Sequence, residues 1–143
     1  TGPMRSPVSV HRRARVAAAA LLTIAVPGAL SACTHDSGPP VKLSAEGTKG
    51  KTVAARFQCQ NCHSVDGDEL TGPTWKGLLG SKVTLKDGSV TTVDTDYLIR
   101  AVREPNAQRR DDATGQMPTF DEDRLSDEQL AQVVAYITDL SAK

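Results

Sequence analysis

Residues 59 to 63 read Cys-Gln-Asn-Cys-His. Two thiols one turn apart with an imidazole directly after them support three kinds of chemistry. A zinc half-site needs two further ligands, from a second Cys-x-x-Cys knuckle or a histidine pair. The remaining histidine downstream of the leader described below is His35, far off in a Pro/Ser/Gly-rich stretch, and there is no second Cys-x-x-Cys. A catalytic dithiol sits at the start of a helix that follows a strand. Here the preceding run, KGKTVAARFQ, has helical character and contains no strand. Covalent haem attachment explains the order of the residues. Each thiol of a Cys-x-x-Cys turn bonds one vinyl group, and the next residue lies beneath the ring, where its imidazole binds iron. Cys59 and Cys62 are therefore the expected attachment points and His63 the expected iron ligand.

A haem that carries electrons takes a second axial ligand, and a thioether opposite an imidazole favours ferrous iron. Downstream of the leader the one methionine is Met117, in TGQMPTF, a loop bounded by Gly115 and Pro118. Loop placement is unusual for a core methionine and suits a ligand strap. A filled sixth position leaves no vacancy for oxygen or peroxide, which points to an electron carrier rather than an enzyme.

The start of the chain reads as an address. Arg12, Arg13 and Arg15 precede an apolar run from Val16 to Leu30, and Leu30-Ser31-Ala32-Cys33 follows. A basic region, an apolar region of about 7–15 residues and small residues at a cut site define an export signal. The run is short for a membrane span of about 20 residues and contains Pro27 and Gly28. LSAC resembles the lipobox of bacterial lipoproteins, which implies cleavage after residue 32 and lipid on Cys33. An uncleaved anchor helix is the other reading, and both put the domain outside the cytoplasmic membrane. Thr1-Gly2-Pro3 precede Met4, a candidate start, and the residues around Arg12-Arg13 match a twin-arginine signal weakly. Residues 34–45, rich in Pro, Ser and Gly, read as linker with a reach of about 20 Å. With Cys33 lipidated and Cys59 and Cys62 on haem, all three cysteines of the chain are used.

The chain has 143 residues, 38% of them apolar, with five aromatics and zero formal charge. All 17 acids lie after residue 33 while four of the 17 bases lie before it, so the remainder carries 13 − 17 = −4. A mildly acidic module with no basic patch is a poor nucleic-acid binder. So few rings make a thin core, which a bound prosthetic group would fill. Two further motifs fail. GTKGKT has Ala45 where a phosphate-binding loop needs its first glycine. DGDELTG, 66 to 72, lacks the glutamate register of a calcium loop.

The elements that must position these groups are legible in outline. Glu46 to Gln58 is an expected helix, with Val53, Ala54 and Phe57 on one face. Residues 83 to 91 alternate around Asp87-Gly88, a hairpin signal. Asp94 or Thr95 caps a helix through Val102 that stops before Pro105. Ser126 with Gln129 forms a capping box for a final helix to Leu140, whose inner stripe is Leu130, Val133, Val134, Ile137 and Leu140.

Over roughly residues 43–143 the chain resembles class I monohaem cytochromes c, in the pieces CQNCHSVDG, GPTWKGLLG, MPTF and LSDEQLAQVVAYITDL. It is most similar to the haem c domain fused to the copper-bearing subunit of bacterial haem–copper oxidases. That domain shares GPTWKGLLGSKVTLKDG, DYL and MP-x-F; the copper-bearing part has no counterpart in these residues. The resemblance implies a mostly α fold, with N- and C-terminal helices crossing around a covalent haem c and one small hairpin. Residues 1–32 are then a cleaved signal, 33–45 the lipidated terminus and linker, and 46–143 the cytochrome domain. It further implies that the Pro73 carbonyl accepts the imidazole proton, that Trp75 lies near the haem propionates, and that Gly50 meets Tyr136 where the helices cross. The expected function is one-electron transfer toward a terminal oxidase, or within a respiratory complex, at the outer face of the membrane. The alternatives are the electron-accepting subunit of a periplasmic dehydrogenase and, from another class, a haem sensor. The carboxylates Asp111, Asp112, Asp121, Glu122 and Asp123 flank Met117, either as a solvated loop or as a steering surface for a basic redox partner.

Overall fold

The computed structural model of the chain describes residues 40–142. The leader, Cys33 and His35 lie outside them. Helix α1 spans Ala45–Arg56, the hairpin strands β1 and β2 span Lys82–Thr84 and Val90–Thr92, α2 spans Thr95–Arg103 and α3 spans Asp127–Ser141. A single 3-10 turn, Cys59–Asn61, follows α1. The architecture is mostly helical with one two-stranded antiparallel sheet.

Each helix begins on a side-chain cap that satisfies free backbone N–H groups. Ser44 Oγ accepts from Gly47 N at 2.9 Å, and Asp94 Oδ1 accepts from Tyr97 N at 2.7 Å. Ser126 and Gln129 form the reciprocal capping box of α3, at 3.3 and 3.2 Å. Helix α2 ends before Pro105, whose missing N–H cannot continue the ladder. In the hairpin Val83 pairs with Thr91, and Gly88 takes φ +83°, a left-handed turn conformation that costs glycine nothing.

The α1–α3 crossing is the main tertiary contact. Helix α3 presents Leu130, Val133, Val134, Tyr136, Ile137 and Leu140, all buried. Burying one such aliphatic side chain contributes about 1.5–3 kcal/mol. The face that α1 offers matches expectation at Ala54, which is fully buried, and at Gly50, which meets Tyr136, but not at its larger residues. Its buried residues are Gly47, Gly50 and Ala54, while Val53 and Phe57 are only half-buried beside them. Small residues at helical spacing let the two backbones approach. A Cβ on Gly50 would overlap the carbonyl oxygen of Gln132 and lie 3.0 Å from Tyr136 Cβ. The crossing is further fixed at the start of α1, where Ser44 N and Oγ both donate to Asp139 Oδ2 of α3, at 2.7 and 2.8 Å.

Because the atom opposing Gly50 is backbone, no rotamer change relieves an added methyl group. Gly50→Ala is expected to destabilise the domain by about 2–3 kcal/mol in denaturant unfolding. Thr48→Ala, on the exposed side of the same helix, is expected to stay within about 0.5 kcal/mol.

Candidate haem-binding site

Helix α1 delivers the chain to the site and then reverses it. Phe57 closes the helix, and Gln58 adopts φ 57° and ψ 32°, the one described non-glycine residue with positive φ. The 3-10 turn that follows is closed by Cys62 N and His63 N donating to Cys59 O, at 3.2 and 3.0 Å. This turn carries both thiols and the imidazole on five consecutive residues. Both thiols are free; Cys59 is half-buried and Cys62 exposed. Burial pushes the Cys59 thiol above its ordinary value, with the neighbouring Cys62 adding in the same direction. Catalytic dithiols need a depressed pKa, so the redox-thiol reading has no electrostatic support here.

The imidazole is held from two sides. His63 Nδ1 lies 2.8 Å from the Pro73 carbonyl oxygen. That oxygen can only accept, so Nδ1 carries the proton and Nε2 keeps its lone pair for a metal. Burial holds the His63 pKa below its ordinary 6.5, against the opposing pull of the Pro73 carbonyl. Burial thus favours the neutral ring. Trp75, itself buried, stacks on it with centroids 5.3 Å apart and planes 24° apart, and meets Tyr136 edge-on at 5.9 Å. Gly72 leaves the remaining space, since a Cβ there would sit 2.6 Å from His63 Cε1. The loop behind the ring is tied down by Gly72 N to Cys62 O and Trp75 N to Ser64 O, both 2.8 Å.

These residues open onto one cavity. Its lining includes Cys59, Cys62, His63, Pro73 and Trp75; Tyr97, Leu98, Ala101 and Val102 from α2; Met117 and Phe120 from the strap; and Leu130, Val133, Val134 and Ile137 from α3. All six residues singled out by sequence as cofactor or metal contacts within the described region thus share it. Cys33, the expected lipid site, lies outside that region.

The strap between α2 and α3 is pinned on both sides of Met117. Arg103 Nη1 donates to the Phe120 and Leu125 carbonyls, each at 2.8 Å, and Nη2 pairs with Asp127 at 2.6 Å. Arg109 Nη2 donates to Gly115 O at 2.9 Å and Ala113 O at 3.4 Å. A Cβ on Gly115 would overlap the Thr71 side chain, so strap and haem-motif loop touch there. Sequence reasoning passed over both arginines. An arginine at the end of a helix and another in a charged loop look like solvated residues, and nothing in their spacing marks them as clamps.

One buried polar atom is orphaned: Arg109 Nε, in the cavity lining, has no hydrogen-bond partner among the described residues. An apolar cavity with two free thiols, an imidazole lone pair, a thioether and one unsatisfied cationic donor fits a macrocycle that is greasy over its faces and anionic at one edge. The sequence model of the cytochrome c family matches residues 47–141. The chain belongs to the cytochrome c family. Among curated proteins none matches it. Membership brings covalent haem c, the class I fold seen here and an electron-carrying role. In this cytochrome, Cys59 and Cys62 are consistent with the attachment pair of its Cys-x-x-Cys-His motif.

Gly72→Ala places a methyl group against the ring edge of His63, where Trp75 and the Pro73 carbonyl block retreat. The holoprotein is expected to lose about 1–3 kcal/mol of stability and to show an altered ferric spectrum. Thermal unfolding and optical spectroscopy of wild type and variant check this.

Proposed function

We propose that this cytochrome is a lipid-tethered one-electron carrier whose iron is held by His63 and Met117. It passes electrons along a respiratory chain toward a terminal oxidase, or does so as a subunit of a respiratory complex. The observation that carries the ligand assignment is Met117 in the same cavity as a His63 whose Nε2 is free, on a strap clamped by two arginines. Bound haem c supplies an iron that takes up and releases one electron. The protein's part is to keep the surroundings unchanged while the charge changes. Pro73 and Trp75 fix the imidazole plane, and Arg103 and Arg109 fix the strap. The apolar lining excludes water. A carrier of this kind needs no substrate pocket, only a place where a partner docks briefly, and such redox contacts are small and weak.

The tether rests on sequence: Arg12, Arg13 and Arg15, the apolar run and the lipobox-like Leu30–Cys33. The oxidase assignment rests on the likeness of GPTWKGLLGSKVTLKDG to oxidase-fused haem c domains. Exposed Asp121, Glu122 and Asp123 beside the strap suit a basic partner face.

Met117→Ala is expected to abolish the far-red ferric band of sulfur-ligated haem and to open the iron to added cyanide. A variant with an unchanged ferric spectrum rules Met117 out as ligand. Cys33→Ala is expected to move the haem protein from the membrane to the soluble fraction, read by fractionation; retention on the membrane removes the lipid anchor from the proposal.

A further inference from the structure

Among the described residues, Arg109 carries the buried side-chain donor that has no hydrogen-bond partner. Its neighbour Arg110 forms a two-pronged pair with Asp112, so that charge is compensated at the surface. No carboxylate among the described residues pairs with Arg109. Its Nη2 is committed to the Gly115 and Ala113 carbonyls, and its Nε is buried and unpartnered. A charged donor shut away from water without an acceptor is costly, so an acceptor belongs there in the loaded protein. The backbone keeps this cation in place. Arg109 O accepts from Lys86 N at 3.0 Å, Asp111 N donates to Thr84 O at 3.0 Å, and Arg110 bridges Leu85, so the segment is sewn to the hairpin.

We propose that Arg109 is a positioning residue that joins the cofactor to the strap. Its Nε donates to a propionate carboxylate at the edge of the haem, while Nη2 of the same planar group holds the strap two residues before Met117. The rigid fork of a guanidinium makes both contacts at once; a lysine ammonium on a flexible stem does not. Two consequences follow. A fixed positive charge beside the cofactor disfavours the more positive, oxidised form and raises the midpoint potential. Loss of the fork loosens the strap and makes Met117 easier to displace. The inference rests on the haem reading above.

The test uses holoprotein of wild type, Arg109→Gln, Arg109→Lys and, as a control, Arg100→Gln, whose side chain is exposed and paired with Glu104. Two quantities are read: the midpoint potential, and the imidazole concentration that half-displaces the sulfur ligand from ferric protein. Arg109→Gln is expected to lower the potential and to cut the imidazole concentration roughly tenfold, the scale of a lost charge-assisted hydrogen bond. Arg109→Lys is expected to keep a near-wild-type potential yet yield to imidazole more easily. Arg100→Gln is expected to change neither. Wild-type values for Arg109→Gln, or an equal shift in Arg100→Gln, overturn the proposal. If Arg109→Gln gives no holoprotein, wild-type imidazole resistance in Arg109→Lys overturns it. A wild-type protein without haem or without sulfur ligation sinks the proposed function instead, so the two failures are distinguishable.

Discussion

Leu98, Ala101, Val102, Leu130, Val133, Val134 and Ile137 all turn apolar surface toward a cavity in the middle of the domain. These side chains are mostly buried against the protein's own elements, but in a chain with five aromatic side chains no ring of the protein fills the cavity they border. Apolar area contributes to stability only once it is removed from water, about 25 cal/mol for each Å². The cavity is the part of the domain's interior that its own side chains leave unfilled. Covalent haem resolves the difficulty by making the cofactor a permanent part of the core.

The constraint reaches the polar groups as well. The cavity has one wet-chemistry side, where Cys59, Cys62 and His63 arrive on a single turn, and a strap that brings one sulfur. Neither is held by hydrophobic packing alone. The imidazole is aimed by a backbone carbonyl, an indole face and the absence of a side chain at Gly72. The strap is aimed by guanidinium groups that satisfy loop carbonyls no helix or strand would satisfy. Both devices resist displacement, and a small change in surroundings between oxidation states is what an electron carrier requires.

Much of this was legible in the sequence because the signals are local. The capping box Ser126/Gln129, the Asp94 cap, the Asp87-Gly88 turn and the 3.6-residue stripe of α3 each act over a few residues, and the elements appear where those signals lie. The inner face of α1 was harder to read. Periodicity weights large apolar residues and so favours Val53 and Phe57, whereas the closest contact is made by Gly47 and Gly50, which hydropathy does not register; Gly50 against Tyr136 was legible only through the family resemblance, and Gly47 not at all. Trp75 shows the same limit: its type marks it as a buried ring, but that it stacks on His63 is a tertiary fact. Arg103 and Arg109 were invisible for another reason. Their roles depend on carbonyls 4 to 22 residues away, and no local rule predicts which loop arginine turns inward.

The most direct measurement is the intact mass of the protein purified from a host that attaches haem c, taken together with Cys59→Ser and Cys62→Ser variants. Wild type should carry the mass of one haem that survives denaturation, and the double variant should carry none. Wild-type chain at its unmodified mass, with both thiols open to alkylation, would contradict the assignment of this cavity to covalent haem.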